Sequence, residues 1–322
     1  MDFKNYLVPG KTGLLIGIGG VSMSPLAEVL HDAGLDIRGS DMAESSNTLT
    51  LREHGIPIHI GHSADNVTDD ISFVIRTAAV HDDNPEVHEA HRRGIPVFER
   101  TQAWGALMRG YQNALCISGT HGKTTTTSMC THIMMAAEKD PTVMIGGTLP
   151  LLKACHRVGK GNTIIMESCE YYNSFLALNP TIAVVLNIEA DHLDFFKDLE
   201  DIKHSFRCFA ERVPAETGTV IANYDDANTM DALRGIARKV ITFGLNAKAD
   251  VYAQNIVHRG SVSEFDIYHR GNYFARVTLH VPGIHNVRNA LAATAAAIVL
   301  GVSPNAVKYG LAGFEGAGRR FD

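Results

Sequence analysis

Residues 114–127 read ALCISGTHGKTTTT, an apolar run that passes directly into Gly119-Thr-His-Gly-Lys-Thr124 and then into a threonine-rich stretch. That succession admits few folds. A buried strand, a Gly-x-x-Gly-Lys-Thr turn and a helix form the context of a phosphate loop. Its glycines let successive N–H groups and the helix N-terminus converge on phosphate oxygens. The loop is shorter than the common form, because the position five residues before the Gly-Lys pair is Ile117. The pattern still places Lys123 to bridge the outer phosphates of a nucleoside triphosphate and the Thr124 hydroxyl to meet a magnesium ion. Gly119, Thr120, His121, Gly122 and Thr125 complete the expected ATP cradle. A plain glycine turn is the competing reading. It leaves unexplained four successive threonines at a helix start, where β-branched residues are poor helix formers.

The rest of the chain repeats the alternation of strand and helix. Strands are expected at 13–18, 36–39, 56–60, 71–76 and 95–98, with helices running to Leu30, near 47–54 and over 84–93. A helix at 100–112 leads into a second series, with strands at 114–118, 163–167, 182–187, 219–222, 239–243 and 274–281. Helices are expected there at 123–137, 199–212 and 286–300. Strands alternating with helices mean parallel sheets with crossover helices, hence an α/β chain. At 322 residues two domains are the natural expectation. They are a Rossmann-like parallel-sheet domain over 1–109 and a P-loop ATPase-type α/β domain over 110–322, with the boundary near 108–112.

Polar residues at strand ends then stand out, because ligands of open parallel sheets bind beyond the carboxyl ends of strands. Glu167 closes TIIME and is placed to hold a magnesium ion; His192 follows IAVVLNI and is placed at a second one. Glu170, Asp191 and Asp194 are rival carboxylates or plain solvated charges. Asn286 and Asn289 lie one turn apart at the start of the alanine-rich helix, where paired amides suit the edge of adenine, although Asn286 could simply cap that helix. In the first domain Gly17-x-Gly19-Gly20, followed by Asp41, is a partial dinucleotide fingerprint with Ser22 at the third glycine position. Such a turn suits a sugar nucleotide as well as NAD. His62 and Thr77, after the next strands, rim the same crevice.

A net charge of −6 argues against a nucleic-acid partner, and no uninterrupted apolar stretch reaches membrane-spanning length. Five cysteines without C-x-x-C spacing suit a reducing cytoplasm better than a disulfide framework. A cytoplasmic location is expected, with monomer and weak dimer both open.

The motifs IGIGGVSMS, RGSD, IGH, GTHGKTTTT, MESCEYYNSFL, NIEADHLD, PGIHNVRNA and GAGRRFD, in that order, resemble the Mur ligases along essentially the whole chain. The histidine in GTHGKTTTT is similar to the alanine-adding branch and to a murein-peptide-recycling relative. The direct run of Glu170-Tyr-Tyr-Asn-Ser-Phe175 into Leu-Ala-Leu-Asn-Pro favours the former. The resemblance implies ligation of L-alanine to UDP-N-acetylmuramate with ATP and magnesium, most simply two ions. Lys123, Glu167, His192 and Arg320 would be catalytic, with Arg320 near the γ-phosphate and Thr124, Glu167 and His192 at metal. Gly19, Gly20, Asp41, His62, Thr77 and Arg100 would surround the UDP portion, and a further C-terminal domain beyond this sequence would be needed to complete the reaction. Many members carry Ala-Asp where this chain has Ser168-Cys169 between its two glutamates. An NAD-dependent oxidoreductase and a non-catalytic nucleotide-binding module stand as alternatives.

Overall fold

The computed structural model describes residues 2–77 and 79–316. The chain divides into two compact units, Met1–Gly110 and Tyr111–Asp322.

In the first unit β1 (Thr12–Ile16), α1 (Ser24–Asp32), β2 (Asp36–Asp41), α2 (Ser46–Glu53), β3 (Ile58–Ile60), β4 (Ile71–Arg76), α3 (Pro85–Arg92), β5 (Val97–Glu99) and α4 (Arg100–Met108) follow one another. The sheet order is β3-β2-β1-β4-β5, and every pairing is parallel. β1 is buried throughout because it is the central strand, covered on both faces, so its sequence carries no alternation. Local signals set the helix starts. Ser45 and Thr48 form a reciprocal capping box at α2, and Asn84 accepts from the Glu86 and Val87 amides ahead of Pro85 at α3.

The second unit comprises β6 (Asn113–Ser118), α5 (Lys123–Ala136), β7 (Thr142–Leu149), β8 (Ala154–Arg157), β9 (Thr163–Glu167), β10 (Ile182–Val185), α6 (Leu199–Glu211), β11 (Thr219–Asn223), α7 (Ala227–Ala232), β12 (Lys239–Gly244), β13 (Val251–Arg259), β14 (Val262–His269), β15 (Asn272–Leu279), α8 (Ile284–Val299) and α9 (Pro304–Ala312). Its sheet runs β15-β14-β13-β12-β11-β10-β6-β9-β7-β8. β6 is flanked by β10 and β9, both parallel to it, so the loops leaving these three strands open at one edge. The far end is different: β13, β14 and β15 form an antiparallel meander, and β8 pairs antiparallel with β7. α8 is buried from Val287 to Ala297 except for a partly exposed Arg288, which fits its run of alanines: small side chains let a helix lie inside the core.

The α/β expectation is met, and the structure extends it. α7, α9, β7, β8, β13 and β14 have no counterpart in the sequence reading. α8 begins at Ile284, two residues before Asn286, so Asn286 lies within the first turn and Gly283 takes the cap position.

Candidate functional site

The glycine turn of the second unit is built from neighbouring strands as much as from its own residues. Thr120 N–H donates to the Asn187 carbonyl at 3.1 Å. His121 N–H donates to Asn187 Oδ1 at 2.8 Å, and Asn187 Nδ2 returns a bond to the His121 carbonyl at 3.0 Å. Thr120 Oγ1 accepts from the Glu189 amide at 2.9 Å. The segment after β10 therefore clamps the turn after β6. Asn187 was not singled out in the sequence; its only signal there is its place at the end of the run IAVVLN.

Gly122 holds φ at +85° as the N-cap of α5, and a Cβ at this position would stand 2.7 Å from Asn289 Oδ1. A side chain is therefore excluded twice, by backbone conformation and by the close approach of α8. Glycine at the cap supplies no side-chain hydrogen bond to the start of α5, so its N-terminal amides are left for a ligand.

Lys123 is mostly buried, and its ammonium group is fully engaged. Nζ donates to the Gly119 carbonyl at 2.5 Å, to the Thr120 carbonyl at 3.1 Å, and to both Glu170 oxygens at 3.0 and 3.1 Å. Thr124 Oγ1 donates to Glu167 Oε1 at 3.0 Å, while Glu167 Oε2 accepts from the Gly146 amide at 2.7 Å. Two glutamates thus back the loop, one on the lysine and one on the hydroxyl. Glu170, set beside the site by the sequence only as a rival carboxylate, is 2 % exposed and belongs to it.

His192 approaches the same group, with Nε2 3.9 Å from Glu170 Oε1. Its backbone φ is +52°, and Tyr172 and Asn173 are also left-handed at +52° and +55°. Non-glycine residues in that region cost on the order of 1–3 kcal/mol each, and such strain collects at functional sites. The Tyr171 ring stacks on His192 with centroids 4.3 Å apart, and its hydroxyl donates to Asp194 Oδ2 at 2.5 Å, which pushes the phenol up.

Beside the turn lies a cavity of about 650 Å³, to whose lining His121, Gly122, Thr125, Asn286 and Asn289 contribute. Asn289 Nδ2 donates to Asn286 Oδ1 at 3.3 Å, and Asn286 Nδ2 donates to the Pro282 carbonyl at 2.7 Å. Asn286 therefore does not cap α8, whose cap position is Gly283; its side chain forms part of the cavity wall.

A magnesium ion fits the donor set. The Thr124 hydroxyl and Glu167 carboxylate converge as hard oxygen ligands. Among the described residues no group of three or more His, Cys, Asp or Glu forms a protein-only cage, so phosphate and water would supply the remaining ligands.

In the first unit the glycine turn follows β1. Gly19 N–H donates to Asp41 Oδ2 at 2.8 Å, and Asn47 Nδ2 donates to the Gly19 carbonyl at 2.8 Å. Gly20 N–H closes onto the Gly17 carbonyl at 3.1 Å. Arg100, the first residue of α4, bonds the Ser22 hydroxyl, so the residue at the third glycine position is a tethering point. His62 follows β3, Thr77 follows β4, and both lie at the carboxyl end of the sheet with Gly19, Gly20 and Asp41. Arg320 lies outside the described residues.

A strand–glycine–helix turn carrying a lysine, a threonine and two glutamates defines the second unit as a phosphate-loop nucleotide-binding domain. Comparison with known proteins gives the family. Residues 117–297 match the Mur ligase middle domain, and residues 15–112 match the Mur ligase family catalytic domain. The chain is 46 % identical over 307 residues to UDP-N-acetylmuramate–L-alanine ligase of Agathobacter rectalis, covering 95 % of this chain and 67 % of that protein. It is 44 % identical over 322 residues to the ligase of the same name from Clostridium novyi, covering 100 % and 70 %. Among solved structures it superposes on UDP-N-acetylmuramate–alanine ligase of Thermotoga maritima with a TM-score of 0.80 and 31 % identity, over 97 % of this chain and 70 % of that one. UDP-N-acetylmuramate:L-alanyl-γ-D-glutamyl-meso-diaminopimelate ligase of Neisseria meningitides gives 0.85 and 26 %, over 96 % and 100 %. The chain belongs to the Mur ligase family.

Proposed function

We propose that this chain takes part in the ATP-dependent ligation of L-alanine to the lactyl carboxylate of UDP-N-acetylmuramate, a cytoplasmic step of peptidoglycan precursor synthesis. The observation that carries the reading is the phosphate loop in which Thr124 meets Glu167 at the end of β9 and Lys123 meets Glu170 in the segment that follows. It is supported by identity of 43–46 % to ligases of that name. An NAD-dependent oxidoreductase leaves that loop and both glutamates without a role.

A carboxylate is a poor electrophile toward an amine. One of its oxygens therefore attacks the γ-phosphorus of ATP, the bond to the β-phosphate oxygen breaks, and an acyl phosphate and ADP result. The alanine amine then adds to the acyl carbon, and the tetrahedral species collapses to amide and phosphate. The role of Lys123 is to exchange its loop carbonyls for phosphate oxygens, keeping positive charge where negative charge builds during transfer. Glu170 keeps the released ammonium group aimed at the loop. Asn187 fixes the turn amides, and Asn286 and Asn289 take the adenine edge. Thr124 and Glu167 would hold magnesium, and His192 a second ion; a metal held there would supply positive charge to the phosphoryl oxygens. Arg320 is assigned to the γ-phosphate, and Gly19, Gly20, Asp41, His62, Thr77 and Arg100 to the UDP portion.

In the protein carrying the further C-terminal domain that the family resemblance implies, phosphate release tests the reading directly: it should require ATP, UDP-N-acetylmuramate and L-alanine together. Turnover with NAD in the absence of ATP would refute it. The superposition on the Neisseria ligase favours a second reading, in which a peptide replaces alanine. A competition between L-alanine and L-alanyl-γ-D-glutamyl-meso-diaminopimelate as the amine separates the two.

A further inference from the structure

Glu86 is a carboxylate that the ligation chemistry leaves unused, and it is fully buried. It sits in the first turn of α3, where the helix dipole favours negative charge. Three donors from three different segments converge on it. Ser40 Oγ, at the end of β2, donates to Oε2 at 2.8 Å; His62 Nδ1, after β3, lies 2.8 Å from the same oxygen; Asn66 Nδ2 donates to Oε1 at 2.6 Å. A buried charge is tolerated when its hydrogen bonds are satisfied in this way, and removing one partner is costly.

Proton accounting fixes the histidine. The Ser40 hydroxyl proton is directed at Glu86, so toward His62 Nδ1, 3.2 Å away, Ser40 Oγ can only accept. Both neighbours of Nδ1 are acceptors, and Nδ1 must carry the hydrogen. The other ring nitrogen, Nε2, and the ring faces are what His62 can present to a ligand, through a side chain that is 16 % exposed. The same network reaches the glycine turn, since the Ser40 carbonyl accepts from the Gly17 and Ile18 amides at 2.8 and 3.0 Å. Asn66 also donates to the Gly61 carbonyl at 3.3 Å, beside His62.

We propose that Glu86 is the positioning residue of the sugar-nucleotide crevice: it locks His62 in the Nδ1–H form and fixes the orientation of its ring. The proposal rests on the reading that this crevice takes the UDP portion of the substrate. Glu86 touches no substrate itself.

Titration calorimetry with UDP-N-acetylmuramate, and with ATP as a control on the other unit, tests it on Glu86→Ala, His62→Ala and the double variant. Each single variant should bind the UDP-sugar about tenfold more weakly, which corresponds to about 1.4 kcal/mol. The double variant should bind no more weakly than either, and ATP affinity should not change. Glu86→Gln, which keeps an acceptor oxygen, should restore most of the loss. Additive losses in the double variant would mean that Glu86 acts through the fold rather than through His62, and would overturn the proposal. Should Glu86→Ala fail to fold, nitrogen-15 NMR of His62 in the unaltered protein decides: protonation at Nδ1 supports the lock, and protonation at Nε2 alone refutes it. If the unaltered protein has no affinity for the UDP-sugar, the crevice reading itself falls; binding without His62–Glu86 coupling removes Glu86 alone.

Discussion

The two units use the same device, a glycine turn between a buried parallel strand and a helix, and differ in the charged side chain that meets its backbone. The turn after β6 carries Lys123, and its neighbouring glutamates bond the lysine and the Thr124 hydroxyl, leaving the turn's amides to Asn187 and to a ligand. The turn after β1 has no lysine, and Asp41 occupies the Gly19 amide. A cationic turn suits a triphosphate whose charge must be held while a phosphoryl group moves. A turn that presents a carboxylate suits the hydroxyl-bearing part of a nucleotide, which is bound and left intact. Glycine spacing alone does not separate binding from chemistry; the charges at the rim do.

Lys123→Ala is the strongest way to break this contrast. Loss of one preorganised charge-stabilising donor commonly costs roughly 10²–10³ in rate. Phosphate release should fall at least that far, while UDP-N-acetylmuramate affinity, read by calorimetry, stays unchanged. A variant that kept the unaltered rate would remove the phosphate-loop assignment. Gly122→Ala should come next. Forcing a left-handed backbone onto alanine costs about 1–3 kcal/mol, and its Cβ would also press on Asn289 Oδ1 at 2.7 Å. Lower thermal stability and weaker ATP binding are expected together; a variant with unaltered melting and affinity would show that the loop relaxes freely.

Asn187→Ala and Asp41→Ala then set the two turns side by side. Asn187→Ala removes two side-chain bonds to His121, at about 0.5–1.5 kcal/mol each. ATP affinity should drop about tenfold, with UDP-sugar affinity unmoved. Asp41→Ala should do the reverse, by a similar factor. If either substitution weakened both ligands equally, the assignment of one nucleotide to each turn would be wrong.

Much of this was legible in the chain because buried parallel strands carry unbroken apolar runs. β1, β6, β9 and β10 read directly from GLLIGI, ALCIS, TIIME and IAVVLN. The glycine turns were legible through residue types that only a close backbone approach requires. The antiparallel meander was legible only in β15, expected as a strand at 274–281; β14 alternates buried and partly exposed residues as VSEFDIYH, so no apolar run announces it. β8 is too short and too polar to signal a strand. Asn187, Glu170 and Glu86 escaped emphasis for another reason. Each gains its role from partners 20 or more residues away, Lys123 for Glu170 and His62 for Glu86, and a polar residue shows nothing of that in its own neighbourhood.

Acid should separate the units by the smallest but most telling margin. His132 lies on α5, the helix that begins at the phosphate loop, and its ring packs edge-on against Phe314, centroids 5.6 Å apart. Burial lowers its pKa from the ordinary 6.5, with Glu315 opposing the shift. Above 6.5 the ring is neutral whether the chain is folded or not. As pH falls below 6.5 the unfolded chain takes up a proton that the folded chain resists, so stability of the second unit declines through that window. In the first unit Arg92 and Arg93 hold Glu89 down at about 2 from an ordinary 4.5. That contribution is intact above 4.5 and is lost only as pH falls toward about 2. Trp104, in α4, is the sole tryptophan and reports on the first unit alone. Urea midpoints followed by circular dichroism should therefore begin to fall below pH 6.5, while those followed by Trp104 fluorescence hold until below 4.5. His132→Gln should flatten the earlier decline and leave the later one. Coincident declines, or a His132→Gln protein with the original profile, would mean that acid does not reach the phosphate-loop unit through this histidine.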